Sequence, residues 1–171
     1  MEAGGPSRDY VGELRELART LTPERFEGRF PWTFLVITSP DNAQVIEYTT
    51  LKGNFISPAG GTILHLLPMV KTATAYSGLT SLLVGRSRAC DLPILDASIS
   101  KTHARFTLAR GLPHTLEDLG SRNGTRLGTK PLTPHEPVAA RVGDAVSFGS
   151  VSARILDAGS LYALLGGGLG G

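Results

Sequence analysis

Three short polar stretches hold the residues whose types and spacing suit ligand binding or catalysis. They are residues 85–87 (Gly-Arg-Ser), 98–104 (Ser-Ile-Ser-Lys-Thr-His-Ala) and 118–125 (Asp-Leu-Gly-Ser-Arg-Asn-Gly-Thr). Each stretch adjoins an apolar run typical of a β-strand, and a rigid β-scaffold gathers such loops at one edge, where binding sites usually form. We therefore expect the three stretches to lie side by side and to build one binding site.

The side chains in these stretches suit an oxyanion attached to a peptide. Arg86 offers a planar fork of donors, Lys101 a mobile ammonium and Ser100 a short hydroxyl, which match the charge and acceptor oxygens of a phosphate group. Asn123 carries a donor and an acceptor on one amide, the combination that holds a peptide main chain. No general base is paired with a nucleophile, so the pattern predicts recognition of phosphate rather than its hydrolysis.

The sequence lacks the residue patterns that catalysis and metal binding need. The single cysteine, Cys90, cannot form a disulfide framework or a cysteine-based zinc site. No metal-ligand spacing occurs among the histidines His65, His103, His114 and His135. We expect no metal, no cofactor and no catalytic residue. One enzyme hypothesis remains, a small hydrolase using Ser100 and His103, for which the sequence offers no orienting acid.

Charge and hydropathy narrow the range of partners. The net charge of +2 is too small to indicate nucleic acid by itself. Residues 85–126 carry seven Lys or Arg against four Asp or Glu, a local excess that suits a small anionic target, although charges scattered over a solvated face give the same count. No apolar run approaches the roughly 18 residues needed to cross a bilayer, and the first residues lack the layout of a signal peptide. We expect a cytoplasmic protein without a membrane or nucleic-acid partner.

The first sixty residues read as two helices and a hairpin. An apolar stripe at helical spacing predicts the first helix, through Tyr10, Leu14, Leu17 and Leu21. Thr22 as N-cap and Pro23 as first residue predict a second, short helix, which Gly28 should end. Residues 32–38 and 45–50 are rich in β-branched and aromatic residues and predict a hairpin, which could pair at an open sheet edge.

From residue 60 onwards the chain is typical of an all-β domain. Short apolar runs separated by Gly, Pro, Asn and Asp predict strands over 62–70, 81–84, 92–95, 103–108, 114–117, 145–148 and 151–156. Many short strands without a helix-length stripe favour an antiparallel β-sandwich or barrel. The breaker cluster at 57–61 divides the chain into an N-terminal extension (1–59), the β-domain (60–157) and a short helix with a flexible glycine-rich tail (158–171).

The three polar stretches resemble those of the forkhead-associated (FHA) family. Gly85-Arg86, Ser100-x-x-His103 and Asn123-Gly124 stand in the family's order and at its spacing, and residues 118–121 and 142–149 are similar to its framework. The resemblance covers about residues 60–157. It implies an eleven-strand antiparallel β-sandwich that binds phosphothreonine peptides through loops at one end.

The resemblance also implies a role for each ligand-facing residue. Arg86 and Ser100 would contact the phosphate, and Lys101 would add positive charge beside it. Asn123 would hydrogen-bond the peptide main chain, and Arg122 would touch phosphate or peptide. The alternative interpretations are that Asn123, which precedes a glycine, serves only the turn and that the Lys101 and Arg122 side chains are solvated.

Three further residues would support the site. The resemblance implies that His103 braces the loop that presents Ser100 and that Gly124 supplies the backbone freedom of its turn. Gly85 belongs to the same supporting set.

These implications define a function and its main rival. The chain is expected to be a phosphothreonine-dependent adaptor in Ser/Thr kinase signalling, whose partner is a phosphorylated protein. The rival is a structural or assembly protein that uses the same domain for contacts without phosphate. Residues 1–56 could pack on the sandwich, cover an edge strand or bind another protein, and we expect them to pack on the sandwich.

Overall fold

The computed structural model describes residues 10–40, 55–56, 62–70, 78–110 and 112–166 of the 171-residue chain. These ranges contain three helices and twelve strands. In chain order the elements are α1 (Tyr10–Thr20), α2 (Pro23–Arg29), β1 (Phe34–Pro40), β2 (Phe55–Ile56), β3 (Thr62–Pro68), β4 (Leu79–Gly85), β5 (Leu92–Pro93), β6 (Ala104–Ala109), β7 (Leu112–Asp118), β8 (Thr125–Leu127), β9 (Lys130–Pro131), β10 (Val138–Ala139), β11 (Ala145–Phe148), β12 (Val151–Leu156) and α3 (Ala158–Leu164).

The strands form two packed sheets. Within the described ranges one sheet has seven strands in the order β2-β3-β1-β12-β11-β8-β9, and the other has five in the order β10-β7-β6-β4-β5. Neighbouring strands are antiparallel except β4 and β5, which are parallel. The predicted all-β sandwich is confirmed. The resemblance implies eleven strands over about residues 60–157, and the described residues of that part hold ten, β3 to β12.

Apolar residues of the two inner faces fill the space between the sheets. Strand β12 is buried at every second residue, at Val151, Ala153 and Ile155, as expected for a strand with one face on the core. The rings of Phe106 and Phe148, from opposite sheets, meet edge to face with centroids 6.3 Å apart. Burial of a large apolar side chain contributes about 1.5–3 kcal/mol to stability, so this core holds the sheets together.

The helices cover the outer face of the seven-stranded sheet. Leu14 of α1, Phe26 of α2 and Leu161 of α3 are buried against Phe34 and Val36 of β1. We call these three helices and the outer sheet face beneath them the helical layer. Three residues of the predicted apolar stripe, Leu14, Leu17 and Leu21, therefore pack on the sandwich. The Tyr162 hydroxyl donates a hydrogen bond of 3.1 Å to the Leu21 carbonyl.

Strand β1 corrects the expectation of an edge hairpin. It pairs with β3 on one side and with β12 on the other, so it is an interior strand of the sheet. Phe34 and Val36 face the helical layer while Leu35 and Ile37 face the inner core, which explains why the sequence is apolar at successive positions. The other predicted hairpin strand, 45–50, and the predicted boundary at 59/60 lie outside the described residues, and the boundary stays a prediction.

The short helix after Thr22 also differs from its prediction. Thr22 is extended and Pro23 occupies the first turn, as predicted, but the Thr22 side chain makes no capping hydrogen bond. Gly28 does not end the helix, which continues to Arg29. Glycine inside a helix costs about 1 kcal/mol, and the full burial of Phe26 in the same helix offsets that cost.

The sequence predicts the short C-terminal helix over Leu161 to Leu165, and the observed helix begins earlier. It starts at Ala158 because the Asp157 carboxylate caps it, accepting from the Ser160 N–H at 2.8 Å. Among the helices that the structure describes, none is long and apolar enough to cross a membrane.

Candidate functional site

Strand register brings the three polar stretches to one edge of the five-stranded sheet. β4 ends where β6 begins, with Val84 opposite Ala104, and Ala104 in turn lies opposite Asp118 at the end of β7. The loops that leave or enter these three positions must therefore be neighbours. We call them together the loop edge, and their adjacency agrees with the expectation from sequence.

Arg86 is held at the loop edge by three hydrogen bonds to the second stretch. Its N–H donates to the Ser100 carbonyl at 2.9 Å, and the next N–H, of Ser87, donates to the Lys101 carbonyl at 3.1 Å. Its side-chain Nε donates to the Ile99 carbonyl at 3.1 Å. The side chain is exposed, and its two terminal nitrogens have no partner among the described residues. The backbone and the Nε of Arg86 are therefore fixed, and its two terminal nitrogens remain free to donate to a ligand.

Gly85 permits this close approach of the two chains. A Cβ at this position would overlap the Lys101 carbonyl oxygen and would lie 2.9 Å from the Cys90 sulfur. Any side chain would push the 85–87 backbone away from residues 100–101 and move Arg86 with it. Cys90 itself donates to the Lys101 carbonyl at 3.3 Å, and burial raises the pKa of its thiol.

Ser100 is oriented as a hydrogen-bond donor. Its Oγ accepts a hydrogen bond of 3.0 Å from the Arg122 N–H, so its own hydroxyl proton remains available. The same contact ties the second polar stretch to the third. Ser100 is half-buried, while the Arg122 and Lys101 side chains are exposed and form no side-chain hydrogen bond within the described part of the chain.

His103 is completely buried beneath the loop edge. Its Nδ1 accepts from the Ser100 N–H at 3.1 Å, and its Nε2 lies 3.0 Å from the Gly124 carbonyl. Because Nδ1 accepts, the proton of the neutral ring belongs on Nε2, which then donates to Gly124. Burial lowers the pKa of His103, although the hydrogen bond with Gly124 and the charge of Asp118 oppose the shift.

This geometry disfavours the hydrolase hypothesis and agrees with a bracing role. Both ring nitrogens of His103 are engaged with the backbone, and neither is bonded to the Ser100 hydroxyl. The ring instead joins the loop that carries Ser100 to the turn at Gly124. Gly124 has φ of 80°, a conformation that strongly favours glycine, in keeping with the supporting role the resemblance implies.

Asp118 organises the turn that carries Arg122 and Asn123. Its Oδ1 accepts from the N–H groups of Gly120 and Ser121, both at 2.9 Å. Its Oδ2 accepts from the hydroxyls of Ser121 and Thr125, both at 2.6 Å. Burial acts to raise the pKa of this carboxyl, but the hydrogen bonds from Ser121 and Thr125 outweigh it and hold the pKa below its usual value. Sequence reasoning treated Asp118 as framework only, although Asp followed by Gly and Ser is typical of such a turn.

Asn123 is positioned by Ser98, which lies in the second polar stretch but had no role assigned from the sequence. Its Nδ2 donates to the Ser98 carbonyl at 2.7 Å, and its Oδ1 has no partner among the residues described. Ser98 is held by Asp96, whose Oδ1 accepts from the Ser98 N–H at 2.8 Å and hydroxyl at 2.6 Å. The Ser98 hydroxyl also accepts a 3.0 Å hydrogen bond from the Ser150 N–H. Ser98 and Ser150 are 52 positions apart, so no local signal links them.

The loop edge thus presents donors to solvent on a prearranged backbone. Arg86, Ser100, Arg122 and Asn123 are joined through their backbones or side chains, and Lys101 follows Ser100 directly. No three His, Cys, Asp or Glu residues cluster as a metal site in the described ranges. The fold and this edge define a class of protein, a β-sandwich that presents hydrogen-bond donors on loops at one end.

The family follows from a direct match. Residues 82–149, which include all three polar stretches, match the family model of the FHA domain. Residues 82–149 of this chain are therefore identified with the FHA domain family. No curated protein sequence matches the chain.

Two solved structures with similar folds are FHA domains. That of a Chlamydia trachomatis protein has 19% sequence identity and a TM-score of 0.47, covering 73% of this chain and 97% of its own. That of an Arabidopsis thaliana hypothetical protein has 24% identity and a TM-score of 0.47, covering 73% of this chain and 85% of its own. The assignment rests on the family match and on the sheet topology, not on these distant alignments.

Proposed function

We propose that this chain binds phosphothreonine-containing segments of partner proteins at the loop edge, as an adaptor in Ser/Thr kinase signalling. The observation that carries the proposal is the pairing of Ser100 and Arg86. Ser100 accepts from Arg122 and keeps a proton to donate, while the adjacent Arg86 has its Nε fixed and its terminal nitrogens free. A dianionic phosphate supplies the acceptors for both.

The remaining residues divide between charge and peptide. Lys101 adds a second cation next to Ser100, and its backbone is held by the hydrogen bond from Ser87. Asn123 keeps Oδ1 and one N–H for the main chain of the ligand, because only one N–H is taken by Ser98. Arg122 contributes its N–H to the site framework and its side chain to phosphate or peptide.

The experiment begins with a phosphothreonine-oriented peptide library screened against the purified chain. The selected peptide, its unphosphorylated twin and its phosphoserine twin are then compared by calorimetry. We expect the phosphothreonine peptide to bind, the unphosphorylated twin to show no measurable heat, and phosphoserine to bind more weakly. Equal binding of the first two would overturn the proposal and favour the assembly protein that needs no phosphate.

A further inference from the structure

A cleft lies at the opposite end of the sandwich from the loop edge, and we call it the second cleft because the loop edge is the first candidate site. It has a volume of about 230 Å³ and is bordered by Glu27 of α2, Trp32 and Thr33 before β1, Leu112 at the start of β7, and Asp157 at the cap of α3. β7 and β12 each reach from this cleft to the loop edge. Strands of this length span roughly 20 Å, so one small ligand cannot occupy both places.

Two polar atoms border the cleft without a partner. The Trp32 Nε1 and the Thr33 Oγ1 are both buried, and neither forms a hydrogen bond in the described part of the chain. Thr33 as a whole is only 1% exposed. Buried polar groups in proteins almost always have a hydrogen-bond partner, so a donor and a hydroxyl left open beside a cleft point to a ligand.

The charge of the cleft indicates that its ligand is positively charged. Glu27 and Asp157 are the charged residues in its lining, and both are acidic. Glu27 makes no ion pair within the residues described. Hydrogen bonds from Ser160 lower the pKa of Asp157, so it is ionised at neutral pH. The Trp32 ring lies edge to face with Phe30, with centroids 5.8 Å apart, which adds an aromatic wall.

An exposed apolar row continues from the cleft across the five-stranded sheet. Leu79 is 68% exposed and Leu112 is 55% exposed. Both lie opposite Ala109 in the strand register, so their side chains are on one face. Together the cleft and this row form a surface with an acidic, aromatic part and an apolar part.

We infer that this second cleft binds an arginine side chain of a partner protein, with an apolar neighbour in the partner lying on Leu79 and Leu112. The guanidinium has five donors for the carboxylates of Glu27 and Asp157 and for the Thr33 hydroxyl. A main-chain carbonyl of the same segment accepts from the Trp32 indole. Arginine is favoured over lysine because its planar group stacks on aromatic rings and its donors reach several acceptors at once.

The chain offers a direct reporter for this cleft, because Trp32 is its single tryptophan. The probes are a blocked pentapeptide, Ala-Leu-Arg-Ala-Ala, and twins with citrulline or lysine in place of arginine. Citrulline keeps the shape and removes the charge. We expect a saturable change in tryptophan emission with the arginine peptide and about tenfold weaker binding with the citrulline peptide. The lysine peptide should bind more weakly than arginine.

Matched variants separate this cleft from general charge effects and from the loop edge. Glu27→Gln should weaken the arginine peptide about tenfold. Glu24→Gln removes the same charge from the same helix outside the cleft and should bind like wild type, as should Arg86→Ala. A titration without saturation, equal binding of the arginine and citrulline peptides, or equal binding by the Glu27 and Glu24 variants would each overturn the proposal. Equal binding of the lysine peptide would overturn the choice of arginine.

Discussion

The loop edge and the helical layer position their residues by different forces. At the loop edge Arg86, Ser100 and Asn123 have exposed or half-buried side chains, and backbone hydrogen bonds between distant loops hold them in place. In the helical layer, Leu14 and Phe26 are fully buried and held by apolar contact. The difference teaches that binding and stability can be altered separately in this protein, except where a buried residue lies under the loop edge.

Removing one side chain from the helical layer should have the largest effect on stability. Leu14→Ala leaves a cavity between α1 and the sheet, and such changes cost about 2–5 kcal/mol. We expect a lower melting temperature in calorimetry, with phosphopeptide affinity unchanged for the folded fraction. Leu164→Ala, at a 41% exposed site, is the matched control and should melt close to wild type. A loss of affinity in folded Leu14→Ala would show that the two regions are coupled.

Loss of a hydrogen-bond donor at the loop edge should lower the affinity for the phosphopeptide and leave stability nearly unchanged. Arg86→Ala or Ser100→Ala removes a charge-assisted hydrogen bond worth about 1.5–3 kcal/mol, so affinity for the phosphothreonine peptide should fall tenfold or more. Thermal stability should stay near wild type. Arg88→Ala, an exposed neighbour, should retain affinity in the same calorimetric titration. If it matched Arg86→Ala, the effect would be one of net charge rather than of the site.

At His103 stability and binding should not be separable, because this residue is buried and supports the exposed loop edge. His103→Ala leaves the half-buried Ser100 N–H without its partner, which costs about 1–3 kcal/mol. It also removes one of the two hydrogen bonds at the Gly124 carbonyl, which keeps the one from the Gly149 N–H. We expect a lower melting temperature, with affinity falling only as the folded fraction falls. His114→Ala, at an exposed position, serves as the control. Unchanged melting with lost affinity would instead make His103 a phosphate ligand.

The smallest expected effect is a dependence of stability on pH. Burial lowers the pKa of His65 to about 4, and burial also lowers that of His103. The unfolded chain binds protons near the ordinary histidine pKa of about 6.5, where the folded chain does not, so the free energy of unfolding should fall as pH falls below that value. The fall should continue towards pH 4, the folded-state pKa of His65. Urea denaturation at a series of pH values measures it, and His65→Gln should reduce the slope. A level profile in wild type would contradict the assigned neutral forms.

Local patterns in the sequence determined the elements and the list of candidate residues. Strands β11 and β12 were predicted with their observed ends, because alternation of apolar side chains is visible within a single strand. The candidates Arg86, Ser100 and Asn123 were visible because polar side chains suited to phosphate or to a peptide main chain stand in loops beside such strands. Strands β8, β9 and β10 were missed, since two or three residues are too few to show a period.

The tertiary structure alone decided which distant residues meet. The interior position of β1 depends on pairing with β3 and β12, and the apolar run at 34–37 is compatible with several partners. The contacts of Ser98 with Asn123 and Ser150, and of Ser100 with the Arg122 N–H, join loops 22 to 52 residues apart. The second cleft likewise combines residues from both ends of the chain. Such contacts arise from packing of the whole sandwich, and no pattern of residue types along the chain encodes them locally.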